Sequence, residues 1–290
     1  MTISETTRAS RFSKFVIVTV LVLFSVYFLV PFYVMLVNSV KSLSEIQEGN
    51  MLALPHNFSF EYWSEAWKKA QVGVNATGLR PYFFNSVKIV VPAVLLSTLF
   101  GSFSGFVLSK WRFKGDNLLF GFILFGCFIP FQIVLIPMAR ILGILGISGT
   151  TSGLIIVHIA YGVGFTTLFF RNTYASLPDE IVQSAQVDGA KFMRIFTHII
   201  LPSSAPVIAV TVIWQTTNIW NDFLFGVSFG DARSQPMTVA LNNLVQSSTG
   251  VKEYNVHFAA AIMAALPTLI IYIASGRYFV RGLMSGSVKG

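Results

Sequence analysis

The chain has 290 residues, of which 54% are hydrophobic and only 11% are charged. Soluble globular domains average about 25% charged residues, so this composition excludes an ordinary soluble domain and indicates several membrane crossings. The formal net charge is +8, but Lys and Arg lie in small groups beside apolar runs, which argues against a nucleic-acid-binding surface.

The first apolar run covers residues 15–37 and follows Arg8, Arg11 and Lys14. It contains no small-residue cleavage site, which favours an uncleaved membrane span over a removable signal peptide. Residues 1–37 are therefore predicted to form an N-terminal tail and first span. The polar stretch 38–83 that follows has charges of mixed sign and a group of aromatic residues from Phe58 onward, which predicts a small folded external loop.

Five further apolar runs are long enough to cross a bilayer, for which about 20 residues suffice. They cover approximately residues 84–108, 117–139, 151–170, 207–227 and 257–279. The spacing of Gly101 and Gly105 places both on one helix face, where they either permit close helix approach or are two ordinary membrane glycines. Residues 84–281 are predicted to form the core of the protein, and 282–290 a tail.

Basic residues in the short flanks of the spans predict the orientation of the chain. One side holds Arg8, Arg11, Lys14, Lys110, Arg112, Lys114, Arg171, Lys191, Arg194, Arg277, Arg281 and Lys289. This side is predicted to be cytoplasmic. The prediction is an all-α membrane protein with six transmembrane helices, both termini in the cytoplasm and a cytoplasmic loop at 171–206.

Within that loop, a polar segment interrupts the apolar sequence between residues 177 and 206. It contains Asp179, Glu180, Asp188, Lys191, Arg194 and His198. A bilayer core does not hold so many ionisable side chains cheaply, so the segment is expected in water or against another protein. Pro178 suits a first helical turn and Gly189 permits a backbone reversal, which predicts a helix, a turn and a second helix.

Two sets of polar residues lie inside or beside the spans. His158 is either a proton relay or pore ligand, or a neutral imidazole hydrogen-bonded to a neighbouring helix. Asn218, Trp220, Asn221 and Asp222 combine an aromatic ring, amides and a carboxylate, the groups that commonly hold sugars. They are either part of a solute pathway or ordinary polar residues at a helix end.

The sequence contains no Gly-x-Ser-x-Gly, His-Glu-x-x-His or phosphate-binding Gly-x-x-x-x-Gly-Lys motif. Its single cysteine, Cys127, forms neither an internal disulfide nor a metal cluster. The chain is therefore expected to bind no cofactor or metal, and active transport would need an energy source in another protein.

The polar segment resembles the cytoplasmic signature of the permease subunits of ATP-binding cassette importers. That signature reads Glu-Ala-Ala, three residues, Gly, about nine residues, then an apolar residue and Leu-Pro. Positions matching it are Ala185, Asp188, Gly189, Ala190, Phe196, Leu201 and Pro202, whereas Gln183 and Ser184 replace the usual Glu and first Ala. The spacing makes the resemblance specific.

Further resemblance points to the carbohydrate branch of that family and covers approximately residues 15–290. It rests on Asn85-Ser86, on Trp111 to Gly115, on Trp220 to Phe223, and on the endings 277–283 and 286–290. The chain is most similar to the shorter of the two permeases in maltose-permease-like importers.

The resemblance implies a type I importer permease fold in a bacterial inner membrane. Implied partners are a second, different permease subunit, a pair of ATPase subunits that bind ATP and magnesium, and an external solute-binding protein. The helix 179–187 would dock on the ATPase. The residues implied in this coupling are Glu180, Gln183, Ser184, Ala185, Asp188, Gly189, Ala190 and Phe192. A general likeness to hexose permeases favours a monosaccharide such as glucose or mannose over oligosaccharides and glycerol phosphate.

Two other classes of function stay open. A stand-alone secondary transporter or channel predicts paired intramembrane charges or an internal repeat, and the sequence shows neither plainly. An intramembrane enzyme would need two catalytic groups at one depth, for which His158 with Cys127 or Asp222 is the available set.

Overall fold

The computed structural model describes residues 3–111, 113–246 and 252–287, and side chains from residue 12 to residue 275 within those ranges. In these ranges the regular structure is helical, with two isolated bridges, Val72 to Asn75 and Gly149 to Gly230. The predicted all-α class is confirmed. Two parts of the sequence that carry the family resemblance lie outside the described residues: Arg112 of the patch Trp111 to Gly115, and residues 288–290 of the ending.

The helices are α1 (Ile3–Asn38), α2 (Leu43–Gln47), α3 (Glu61–Lys68), α4 (Arg80–Lys110), α5 (Asp116–Cys127), α6 (Phe131–Ile144), α7 (Thr151–Ala175), α8 (Asp179–Val187), α9 (Phe192–Ile195), α10 (Leu201–Ser203), α11 (Ala205–Trp220), α12 (Leu224–Phe229), α13 (Met237–Gln246) and α14 (Tyr254–Ser287). A π-helical turn, Phe196–Ile200, joins α9 to α10.

Four helical stretches of the described chain are long and apolar enough to cross a membrane by themselves. They are Phe12–Asn38, Arg80–Lys110, Thr151–Ala175 and Tyr254–Ser275. Two bent helix pairs are also long and apolar enough to cross a membrane when each pair is counted as one span. They are α5 with α6, bent by 101°, and Phe192–Ser203 with α11, bent by 77°. Counting each bent pair as one span gives the six predicted spans.

The structure corrects the third and fifth predicted spans. Residues 117–139 do not form one helix. The helix is interrupted at residues 128–130, where Pro130 adopts an extended conformation before α6. Proline disfavours helical backbone in the residue before it. The span predicted at 207–227 ends early, at Trp220. The Asp222 carboxylate accepts the backbone N–H groups of Phe225 and Gly226 and so starts a separate helix, α12.

Helices α4 and α7 approach closely at the two glycines of α4. A Cβ atom on Gly101 would overlap the side chain of Thr166, and one on Gly105 would lie 2.7 Å from the Cβ of Phe170. The Thr166 hydroxyl donates to the Ser97 carbonyl of α4 at 2.9 Å. Of the two interpretations of these glycines, the structure supports close helix approach.

The chain divides into two compact units. The first comprises Met1–Gly78 with Leu244–Met263, and the second comprises Leu79–Asn243 with Ala264–Gly290. In the first unit, residues 39–78 fold around α2 and α3, with Ile46 and Ala66 buried. The Trp63 indole donates to the hydroxyl of Ser39 at 3.2 Å. The loop after α1 is thus folded, as its aromatic residues predict. The second unit contains both candidate sites described below.

A pH effect is expected from Glu65 on α3. Partial burial raises the pKa of Glu65 above its ordinary value of 4.5, and the charges of Glu253 and Glu61 raise it further, whereas Lys69 lowers it. Because the folded state holds the proton more tightly, stability falls as pH rises from 4.5 through the folded pKa. Glu65→Gln should therefore raise the Tm of the purified protein at neutral pH, with the gain shrinking as the pH falls toward 4.5. Glu48→Gln, at an exposed position, is the control, and an equal gain at both pH values would contradict the expectation.

Candidate functional site

Helix α8 is a short, well-delimited helix between two membrane-crossing elements, and its bounds agree with the predicted helix at 179–187. Pro178 precedes it, and Asp179 and Glu180 in its first turn interact favourably with the helix dipole. At its end Gly189 adopts φ +79°, and the Ala190 N–H donates to the Ala185 carbonyl at 2.9 Å. This left-handed glycine closes the helix and reverses the chain, as the sequence predicts.

The two faces of α8 differ. Val182 and Ala185 are buried in an apolar core with Phe106, Tyr174 and Ile195. The opposite face is exposed and consists of Glu180, Gln183, Ser184, Val187 and Asp188. The side chain of Val187 is 88% exposed. One face thus anchors α8 to the protein, and the other presents polar groups around an apolar residue.

Lys110, the last residue of α4, fixes the beginning of α8. Its side chain is only 3% exposed, and its ammonium group forms an ion pair with Asp179 and donates to the Leu177 carbonyl. Ser109, Lys110, Asp179, Val182, Gln183 and Gln186 line a polar groove of about 240 Å³ at this junction. The end of α4 and the start of α8 are therefore held together by a buried cation, a contact that the sequence alone did not indicate. We name this contact the Lys110 clasp.

The eight residues implied in coupling fall into two groups. Glu180, Gln183, Ser184, Asp188 and Gly189 are exposed, whereas Ala185 is buried and Ala190 and Phe192 are partly buried. The ring of Phe192 lies 5.1 Å from the ring of Phe106 and 5.0 Å from that of Trp111, centre to centre. Ala185 and Phe192 therefore hold the loop in place, and the exposed group is available to a partner.

Gly189 allows a direct test of the backbone reversal after α8. A Cβ at this position meets nothing within 4 Å, so the cost of a side chain arises from φ +79° alone. Left-handed backbone costs an L-residue about 1–2 kcal/mol. Gly189→Ala should lower the free energy of unfolding by about that amount, measured by thermal unfolding of the purified protein, and Gly189→Asn by less. Gly121→Ala in α5, also with open space around it, is the control and should cost nothing. Equal stability of Gly189→Ala and wild type would contradict the expectation.

A second cluster forms a pocket of about 180 Å³ between α6, α7, α11 and α12. Its polar lining consists of His158, Gln215, Asn218 and Asp222. Its aromatic lining consists of Phe131, Tyr161, Phe165, Trp214 and Phe225. Such a pocket offers ring faces together with amide and carboxylate groups, the combination predicted for a solute pathway.

His158 and Asp222 meet in this pocket. The His158 Nε2 lies 3.8 Å from the Asp222 Oδ2, and the imidazole packs edge-on against the ring of Phe225. Asp222 Oδ1 accepts the Phe225 N–H at 3.3 Å and Oδ2 accepts the Gly226 N–H at 3.1 Å. The distance to His158 exceeds hydrogen-bond range. The first role of the carboxylate is therefore to begin α12, with the imidazole as a neighbour.

The four predicted pathway residues do not all reach the pocket. Asn218 and Asp222 line it, and Asn221 is exposed beside it. Trp220 is only 4% exposed, and its indole donates to the Ala264 carbonyl of α14 at 2.9 Å and packs against Phe83. Trp220 therefore joins α11 to α4 and α14.

Trp214, and not the candidate Trp220, supplies a tryptophan ring to the pocket. Residues 214 and 218 are spaced by four, so they lie along one side of α11, and Asp222 follows the end of that helix. On α7, His158, Tyr161 and Phe165 follow the same helical spacing. This spacing is the signal that identifies the lining residues. It is obscured in the sequence because the chain has 28 Phe residues, which place aromatic rings at many other positions as well.

The floor of the pocket is a polar contact between α4, α7 and α11. Gln215 is buried, and its amide donates to the Ser97 hydroxyl at 3.1 Å. A Cβ on Gly162 of α7 would overlap that amide. The Gln215 side chain therefore fits in this position only because residue 162 has no side chain. Within the described residues, no group of three His, Cys, Asp or Glu side chains could hold a metal ion.

Comparison with known families gives a match over most of the chain. The family of binding-protein-dependent transport system inner membrane components matches residues 97–284. A probable ABC transporter permease of Pyrococcus horikoshii is 45% identical over 189 residues, 64% of this chain and 68% of that protein. The xylose/arabinose import permease of Haloferax volcanii is 31% identical over 283 residues, 90% and 89% of the two chains. The melibiose/raffinose/stachyose import permease of Bacillus subtilis is 30% identical over 288 residues, 98% and 100%.

Solved structures show the same fold. A chain of a bacterial ABC transporter that imports the acidic polysaccharide alginate superposes with a TM-score of 0.81 at 21% identity, covering 94% of this chain and 98% of that one. A chain of the MetNI methionine ABC transporter superposes with a TM-score of 0.51 at 14% identity, covering 69% and 93%. The fold is that of type I importer permeases, as the resemblance implies.

Proposed function

Because the chain belongs to the family of binding-protein-dependent transport system inner membrane components, we propose that it is the permease subunit of an ATP-driven sugar importer. It spans the inner membrane and would form half of the solute pathway. Relatives named for pentose and oligosaccharide import support a sugar as the solute class.

The observation that carries this proposal is the two-faced helix α8. Its inner face is held by a buried core and by the Lys110 clasp, so it is rigidly attached to α4. Its outer face exposes Glu180, Gln183, Ser184 and Val187. A rigid helix presented in this way can transmit the movement of a separate protein to the spans that it joins.

We infer that the separate protein is an ATPase. ATP and magnesium would bind in a pair of ATPase subunits, since this sequence contains no phosphate-binding loop. A second, different permease subunit would complete the pathway, and an external solute-binding protein would deliver the sugar. The orientation needed is the predicted one, with α8 and both termini in the cytoplasm.

The proposed solute is a monosaccharide such as glucose or mannose. Pockets for drug-sized ligands enclose about 300 Å³ or more, and the pocket beside Trp214 encloses only about 180 Å³. Trp214 and Tyr161 would stack on a sugar ring, while Asn218 and Asp222 would bond to its hydroxyl groups. Binding of a panel of sugars to the purified external protein, measured by calorimetry, tests the choice of sugar.

The alternative is a stand-alone secondary transporter or channel. The approach of His158 to Asp222 is the observation that favours it, because paired ionisable groups in a membrane often serve ion coupling. An intramembrane enzyme using His158 with Cys127 is disfavoured by their positions, since Cys127 lines a different, apolar pocket with Phe122 and Gly164.

One reconstitution separates these proposals. The tagged chain is purified with its co-purifying partners from native membranes, placed in vesicles and supplied with the external protein and a labelled sugar. Uptake should require ATP and stop when the ATPase is omitted. Uptake by this chain alone, driven by an ion gradient, would reject the importer proposal in favour of a secondary transporter.

A further inference from the structure

The loop after α1 folds back along the helix that precedes it. The Tyr33 hydroxyl donates to the Leu52 carbonyl at 2.9 Å, and the Asn38 amide donates to the Met51 carbonyl at 2.9 Å. Leu52 therefore lies beside a residue five positions before the end of α1. At about 1.5 Å per residue, this is roughly 7 Å back along the helix axis.

That depth places the segment at the edge of the bilayer core. The span Phe12–Asn38 has 27 residues and a length of about 40 Å, which matches a bilayer with its headgroup layers. The hydrocarbon core is about 30 Å thick, so it ends roughly 5 Å inside each end of such a helix. With α1 centred in the bilayer, the Leu52 carbonyl is therefore expected at about the boundary between hydrocarbon and headgroups.

Irregular backbone at this depth needs internal hydrogen-bond partners, because a lipid environment supplies few. Three consecutive carbonyls have them: Asn50 accepts from the Lys41 ammonium at 3.0 Å, Met51 from Asn38, and Leu52 from Tyr33. The Ala53 N–H donates to the Asn50 side chain at 3.0 Å. The side chain of Lys41 is fully buried. The buried Lys41 ammonium and the side chains of Asn38 and Tyr33 thus satisfy one carbonyl each in the returning segment.

Three apolar side chains of the returning segment, residues 50–55, are exposed. Met51, Leu52 and Leu54 are 47%, 59% and 66% exposed, and Phe58 and Phe60 are also exposed. This surface continues the exposed apolar surface of α1, where Phe32 and Leu36 are more than half exposed. The surface of a membrane span that no partner subunit covers meets lipid, and Met51 and Leu52 lie beside such a span, held there by Asn38 and Tyr33.

We propose that residues 50–55 form an interfacial anchor that inserts Met51, Leu52 and Leu54 into the phospholipid leaflet at the C-terminal end of α1. The occupant of this surface is lipid, since the segment lies beside the span at the level of the acyl–glycerol boundary. The inference depends on α1 crossing the membrane and not on the nature of the solute or on coupling to an ATPase.

The test uses the full chain with its co-purifying partners in vesicles of phosphatidylcholine and phosphatidylglycerol. Cys127→Ala leaves this chain without a native cysteine. A polarity-sensitive fluorophore is attached at Leu54→Cys or Gln47→Cys, and the Cys127→Ala complex treated with the same reagent gives the signal of labelled partners, which is subtracted. Gln47 is an exposed polar residue of α2 in the same loop and serves as the matched control. Quenching is measured with phospholipid spin-labelled near its glycerol backbone and, separately, with aqueous iodide.

A probe at position 54 should emit at shorter wavelength and be quenched several-fold more by the spin-labelled lipid than a probe at position 47, which should respond to iodide. Strong iodide quenching at 54 without lipid quenching would overturn the anchor in favour of a solvated loop. Protection at 54 from both quenchers would overturn it in favour of a protein partner, such as the external binding protein. Leu54→Trp repeats the comparison without a bulky label, read as the difference in emission and lipid quenching from the parent complex, because the chain has five tryptophans of its own.

Discussion

Val187→Asp is expected to abolish ATP-driven transport by releasing the ATPase from α8. Val187 is the most exposed apolar residue of that helix, and we infer that the ATPase covers it. Burying an unpaired carboxylate there costs several kcal/mol, and a negative charge at the C-terminal end of a helix adds to the cost. A loss of about 3 kcal/mol corresponds to more than 100-fold weaker binding.

Two measurements check this expectation. The first is the amount of ATPase that co-purifies with the tagged chain, and the second is sugar uptake in vesicles. Val187→Leu keeps the position apolar and should retain both, while the Tm of each variant shows whether the subunit itself is intact. Full co-purification and uptake by Val187→Asp would exclude this face of α8 as the docking surface.

Gly101→Leu is expected to prevent the packing of α4 on α7. Even a single Cβ atom would overlap the Thr166 side chain, and Thr166 also donates to the Ser97 carbonyl. Overpacking in a well-packed interior costs about 1–3 kcal/mol and more where backbones must separate. The variant should therefore be strongly depleted from the membrane fraction, or unfold at a much lower temperature.

Gly121→Leu is the matched control for Gly101→Leu. Gly121 lies in α5, where an added Cβ meets nothing within 4 Å, so this variant should accumulate normally. The double variant Gly101→Ala with Thr166→Gly removes the clashing side chain and should recover part of the stability lost by Gly101→Ala alone. Normal abundance and Tm of Gly101→Leu would show that the helices do not need their close approach.

The sequence predicts α8 well because its signals are local. Polar residues among apolar spans indicate a segment outside the bilayer, and Pro178 and Gly189 mark the two ends of the helix. None of these signals depends on a distant part of the chain.

The interruptions of the helices are harder to predict, because proline interrupts a helix at some positions and lies within a continuous helix at others. Pro31, Pro92, Pro137 and Pro267 lie inside continuous helices, whereas Pro130 ends the turn before α6. Membrane helices tolerate proline where neighbouring groups satisfy the freed carbonyl. Whether they do is decided by tertiary packing, which a single sequence does not reveal.

The pocket beside Trp214 shows the same limit for individual side chains. Trp220 and Trp214 lie on one helix, yet Trp220 is buried against α14 and Trp214 lines the pocket. The choice depends on the rotation of α11 about its own axis. That rotation is set by contacts such as Gln215 with Ser97, which join residues 118 positions apart.

The Lys110 clasp has a mechanical consequence when it is combined with the glycine contacts of α4. The clasp fixes α8 to the end of α4, and Gly101 and Gly105 leave no layer of side chains between α4 and α7 that could deform. A force applied to α8 should therefore move α4 and α7 together as one rigid body. Ser97 of α4 and Gly162 of α7 lie on this pair of spans and contact Gln215 of α11 at the floor of the pocket. We therefore expect a tilt of α4 and α7 relative to α11 to change the width of the pocket.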